Sequence, residues 1–263
     1  MRKLGVLLSI ILCGVILVFS YASWKDKLAA AGKPAPPSEA AAPAEETTEE
    51  QSAVSEEVAD IDLESLTAGM DPQVQELLSN RKEQGEKVQL LVLGSEAMEA
   101  GQPGYSELFT EAIDTAYGGF IETEVMNFEG TSEEFLMTAP QLSAGYDVVL
   151  LEPFTLKNNG RIEIETEHLH IQNVFGEILT ATGDAVLVLH PPQPIYGAQF
   201  YLTQVTALEE FAATQNYAYI NHWEQWPSTE DLTLQTYLTE ESNPNNLGAE
   251  TWANALIAYF TGS

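Results

Sequence analysis

Cysteine and basic side chains are what this chain has least of. Its only cysteine in 263 residues, Cys13, lies inside an apolar N-terminal run. The chain beyond it therefore has no disulfide framework and no thiol nucleophile, which removes cysteine-based catalysis. Lys and Arg number 10 against 40 Asp and Glu, a formal net charge of −30. Beyond Val88 the only basic residues are Lys157 and Arg161. So acidic a surface repels phosphate backbones and anionic headgroups, so neither nucleic acid nor docking on anionic lipid is expected. The charge suits solubility, as in salty or alkaline surroundings.

The N-terminus reads as an export and tethering device. Arg2 and Lys3 precede an apolar run of about 18 residues, Gly5–Ala22, the lower limit for a membrane-spanning helix. Ser20-Tyr21-Ala22 offers a small-x-small cleavage site, so a signal peptide is one reading. Trp24, Lys25 and Lys27 at the interface favour an uncleaved anchor, the reading adopted for residues 1–27. Residues 28–67 are rich in Ala, Pro and Glu, with AGKPAPPSEAAAPAEETTEE at their centre, and read as a disordered spacer. The expected folded domain is 68–263, held outside the cell on a single-pass membrane segment.

Within that domain the pattern alternates. Apolar runs at Val88–Leu93, Ile121–Met126, Asp147–Leu151, Ala185–His190 and Tyr217–Ile220 predict strands. Helical patterns lie at Tyr105–Tyr117, Ser132–Leu142, Ile164–Thr180, Tyr201–Thr214 and Gly248–Tyr259. Near-continuous apolar strands alternating with helices predict a five-stranded parallel sheet covered on both faces. The expected fold class is a three-layer α/β/α sandwich with the flavodoxin-like strand order 2-1-3-4-5. Ligands of such folds bind at the carboxyl edge, so the loops after the strands carry the functional reading.

Three of those loops have a recognisable form. LVLGSEAMEAG follows the first strand, Gly130-Thr131-Ser132 follows the second, and NPNNLGAETWANAL precedes and opens the last helix. In order and spacing they resemble the blocks of the SGNH/GDSL hydrolase family of esterases and lipases, over roughly Val88 to Phe260. The resemblance implies acyl transfer to water. A serine would attack an ester carbonyl, and backbone N–H groups of Ser95 and Gly130 would hold the oxyanion. The implied substrate is a small-molecule or polysaccharide ester, such as an O-acetylated glycan of the cell envelope.

The chain departs from the family at the reacting residues. Aligned on Gly94, Ser95 stands at the family's aspartate and Glu96 at its serine. Glu152-Pro153-Phe154-Thr155 replaces Gly-x-Asn, and Asn243 stands where the base histidine belongs. Ser95 one position early, served by His222, is the leading catalytic pair, with His190 a second base and Glu152 or Glu224 orienting the imidazole. Gly130, Glu152 and Asn243 complete the expected oxyanion pocket. His168 and His170, two apart on a helix, are expected on the surface. The alternative is a pocket without the reaction. Phe154, Tyr196, Phe200, Tyr201, Trp223 and Trp226 either stack on sugar rings or form a packed lid. No His or Asp pair has metal-ligand spacing, and no cofactor is expected.

Overall fold

The computed structural model describes residues 61–262. The expected anchor and most of the expected spacer lie outside the described residues. Among the described residues no helix is long and apolar enough to cross a membrane.

Five parallel strands form one sheet: β1 (Val88–Ser95), β2 (Ile121–Phe128), β3 (Val148–Leu151), β4 (Val186–Leu189) and β5 (Ala218–Tyr219). Their order is β2-β1-β3-β4-β5, as the alternation predicts. Eight α-helices accompany them among the described residues. They are α1 (Leu63–Thr67), α2 (Pro72–Gln84), α3 (Tyr105–Tyr117), α4 (Ser132–Met137), α5 (Thr155–Asn158), α6 (Ile164–Ala181), α7 (Gln199–Gln215) and α8 (Asn246–Thr261).

The strand sequences explain the layers. Successive strand side chains point to opposite faces, so an unbroken apolar run is buried only if both faces are covered. In β1, Leu90 and Val92 join one cluster with Val74 and Leu78 of α2, Phe109 and Ile113 of α3, and Trp252 and Leu256 of α8. Leu91 and Leu93 join the other, with Phe135 of α4, Ile171, Val174 and Ile178 of α6, and Leu208 of α7. At the amino edge Arg81 of α2 binds Asp147 at 2.8 Å and Asp184 at 2.8 Å, while Asp147 also accepts the Gln89 N–H at 2.8 Å.

Three boundaries differ from the sequence reading. Leu63–Thr67, assigned to the spacer by composition, is helical, with Leu63 buried. The helix starting at Ser132 ends at Met137 rather than Leu142. Pro140 disfavours helical geometry in the residue before it, and Ala139 has φ 48°. Most consequential, β1 continues two residues beyond Leu93: Gly94 pairs with Asn127 and Ser95 with Phe128. Ser95 thus ends a strand instead of standing on the turn beyond it.

An aromatic slab joins α8 to α3 and to the 3-10 turn His222–Gln225. Trp252, fully buried, stacks on Tyr105 at 4.2 Å between centroids and on His222 at 4.6 Å. Trp252→Ala should cost about 3–5 kcal/mol in urea unfolding of the full chain, a large share of an ordinary domain's stability. A loss under about 1 kcal/mol would show that the slab is not part of the cooperative core.

Candidate functional site

The carboxyl edge is centred on one short contact. Glu152 follows β3, and its N–H donates to Leu93 O at 2.9 Å, so the β1–β3 ladder carries it to the end of β1. Its side chain turns over that end. Oε2 accepts the Ser95 N–H at 2.7 Å, and Oε1 accepts the Phe154 N–H at 3.1 Å. Such proximity favours glycine at 94, because a Cβ there would lie 3.0 Å from the Glu152 Cβ and 3.1 Å from Oε2, so the Glu152 side chain would have to give by a few tenths of an ångström. Glu152 is fully buried. Burial pushes its carboxyl pKa up, opposed by hydrogen bonds from the Ser95 hydroxyl and the Ser95 and Phe154 amides, while nearby Glu96 pushes it up further. Ser95 is buried too, and its Oγ accepts the Ala97 N–H at 3.4 Å, capping the short 3-10 turn Glu96–Glu99.

The expected Ser95–His222 pair is not what the structure assembles. His222 Nδ1 accepts the Trp226 indole N–H at 3.1 Å, and Nε2 lies 2.8 Å from Pro191 O. Since an indole nitrogen only donates, Nδ1 must be the acceptor, and Nε2–H goes to the carbonyl. Both nitrogens are spent on the protein's own groups. Burial, then neighbouring His190, lowers the His222 pKa well below the usual imidazole value. His190 takes the Trp252 indole N–H on Nδ1 at 3.3 Å, and burial pushes its pKa down to about 3. Among the described residues, neither its buried Nε2 nor the buried Tyr105 hydroxyl beside it has a hydrogen-bond partner. Glu224 is exposed and orients neither ring.

The other expected positions have local explanations. Gly130 has φ 150°, and a Cβ there would come within 2.7 Å of the Phe128 ring. It makes the turn that lets Thr131 cap α4 in a capping box with Glu134. Asn243 offers its main-chain carbonyl to Thr239 N at 2.8 Å. Asn245, two residues on, caps α8 by accepting the Leu247 and Gly248 N–H groups at 2.9 and 3.2 Å. Glu96, at the family's nucleophile position, forms an ion pair with Lys157 from α5.

A second polar network escaped the sequence reading. Buried Glu167 accepts from Thr155 Oγ1 at 2.7 Å and Asn158 Nδ2 at 2.6 Å. Asn158 Oδ1 in turn accepts the Ser132 N–H at 3.0 Å, and Ser132 Oγ meets His170 Nδ1 at 2.8 Å. His170 is therefore bonded rather than a free surface residue, and His168 stacks on Phe211 at 4.1 Å. The signal for Glu167 was in the periodicity: it lies four residues before Ile171, on the stripe continued by Val174 and Ile178. Of the aromatic residues, Phe154, Tyr201 and Trp226 are core, whereas Phe200 is 85% exposed.

No protein-family model and no curated protein matches this sequence. Solved structures do. A GDSL-like lipase from Parabacteroides merdae matches with a TM-score of 0.55 at 11% identity, over 67% of this chain and 96% of that one. An acetylxylan esterase from Geobacillus stearothermophilus matches at 0.52 and 11%, over 66% and 94%. A G-D-S-L family lipolytic protein from Desulfitobacterium hafniense gives 0.52 and 12%, over 66% and 99%. The chain has the SGNH/GDSL hydrolase fold.

The network predicts a pH effect. Burial raises the Glu167 pKa from 4.5 to about 7. A group that binds its proton more tightly folded than unfolded contributes stability fully present below its unfolded pKa and lost as pH rises through the folded one. Glu167→Gln should therefore gain on the parent chain between pH 5 and pH 8, by at most about 3 kcal/mol. Urea titrations at each pH check this; a constant difference would contradict it. His190 and His222 act oppositely, removing stability as pH falls below about 6.5 in both chains.

Proposed function

We propose that this domain keeps the esterase fold but does not hydrolyse esters, and instead binds the carbohydrate of an acylated envelope glycan. One observation carries the first half: the Ser95 N–H, which the resemblance assigns to the oxyanion, is bonded to Glu152. An ester oxygen entering there would have to displace a buried carboxyl from the Ser95 N–H, and both nitrogens of His222, the expected base, are already bonded. The acylated glycan is taken from the acetylxylan esterase that shares the fold. The N-terminal apolar run and acidic spacer support a domain held outside the cell on a membrane anchor.

A second reading has its own observation. The Glu152 carboxyl lies over the end of β1 with Oε2 on the Ser95 N–H at 2.7 Å, which puts a base at hand for the Ser95 hydroxyl. Slow Glu152-dependent hydrolysis is what that pair would give.

The full chain in mild detergent should neither turn over p-nitrophenyl acetate above buffer nor take up a fluorophosphonate probe. Labelling abolished by Ser95→Ala would overturn the non-hydrolytic reading. If Glu152→Gln abolished it as well, the serine–carboxylate pair would be the catalyst.

A further inference from the structure

A cleft of about 500 Å³, lined by neither Ser95 nor Glu152, lies between the 159–164 segment leading into α6 and the start of α7. Both helices start at the carboxyl edge, so the cleft lies at the ligand-binding end of the sheet. Its volume is within the roughly 300–1,000 Å³ usual for small-ligand sites.

Two residues of one helix face define its chemistry. Phe200 and Gln204 are four apart in α7 and project side by side. Phe200 is 85% exposed, which leaves a phenyl face open to water at the rim. Gln204 is 8% exposed, and among the described residues its buried Oε1 has no hydrogen-bond donor. A buried amide oxygen left unpaired costs about 1–3 kcal/mol, so a donor that reached it through a shift of the Gln204 side chain, which lines the cleft, would be favoured. Thr203, Asn159 and Glu163 add hydroxyl, amide and carboxylate groups. Arg161 stands on the rim with Nη2 held by Glu134 at 3.0 Å.

The geometry points to a pyranose ring of a glycan chain as the occupant of this cleft. A pyranose has an apolar C–H face that lies on an aromatic plate and an edge of hydroxyls that donate to an amide oxygen. A purely apolar ligand would leave Gln204 Oε1 unpaired, and a phosphate would face Glu163 and a net charge of −30. The inference rests on the carbohydrate-binding reading of the domain and assigns that reading to a particular place.

Calorimetric titration of the full chain in mild detergent tests it, with xylohexaose and chitohexaose as probes. Binding of one probe is expected, with Phe200→Ala and Gln204→Leu each raising Kd about tenfold or more. Phe200→Trp, which keeps an aromatic plate, should stay within about threefold of the parent. Leu232→Ala, an exposed apolar residue outside this cleft, should leave Kd unchanged. Phe200 is so exposed that its removal should not move the urea midpoint, which separates lost binding from lost folding. If the parent binds a probe and both cleft variants bind it equally well, the cleft assignment falls while the carbohydrate-binding reading stands. If the parent binds neither probe, both fall.

Discussion

The hydrogen bond from the Ser95 amide to the buried Glu152 carboxyl is the constraint around which the functional end of this molecule is arranged. It explains why glycine suits position 94, because a Cβ there would press on the Glu152 side chain. It sits at the last pair of the β1–β2 ladder, where Ser95 lies opposite Phe128. It also fills with the protein's own carboxyl the place where an esterase would gather an oxyanion. A fully buried carboxyl persists only when it is hydrogen-bonded, and here two backbone amides and a hydroxyl meet that need.

The imidazoles follow the same logic from the other side. An esterase needs a histidine with one nitrogen free to receive a proton. His222 has both nitrogens bonded within the protein, and His190 takes the Trp252 indole N–H on Nδ1, which puts the proton of its neutral ring on the unpartnered Nε2. Burial keeps both rings neutral. They behave as polar parts of an aromatic slab that joins α8 to α3. Lys157, one of the two basic residues beyond Val88, is paired with Glu96, which the resemblance aligns with the family's serine. On the proposed reading, fold and chemistry have come apart, as one scaffold commonly carries many functions.

Much of the fold was legible because it is written in periodicity. Five apolar runs separated by amphipathic segments specified a parallel sheet, its order and its two covered faces, and the ends were off by only a few residues. The site was less legible. The two-residue extension of β1 depends on pairing with Asn127 and Phe128 of β2, and the partner of the Ser95 N–H is a side chain 57 residues away. The fate of His222 depends on Trp226, one 3-10 turn further on, and that of His190 on Trp252 in the last helix. No local pattern in the chain encodes which indole will cap which imidazole. Glu167 was readable as a carboxylate on an apolar helix stripe, yet its partners Thr155 and Asn158 belong to a four-residue helix without a periodic signal. Phe200 was singled out as an aromatic of the carboxyl edge, but only the folded chain separates it from the aromatics that became core.

The most direct test of this account is hydrogen exchange at the Ser95 amide, followed by NMR in the full chain with and without Glu152→Ala. Strong protection in the parent, comparable with the interior amides of β1 and lost at Ser95 in the variant, is the expected result. A Ser95 amide that exchanges like an open loop in the parent chain would contradict it, and would return that N–H to the oxyanion of an ester.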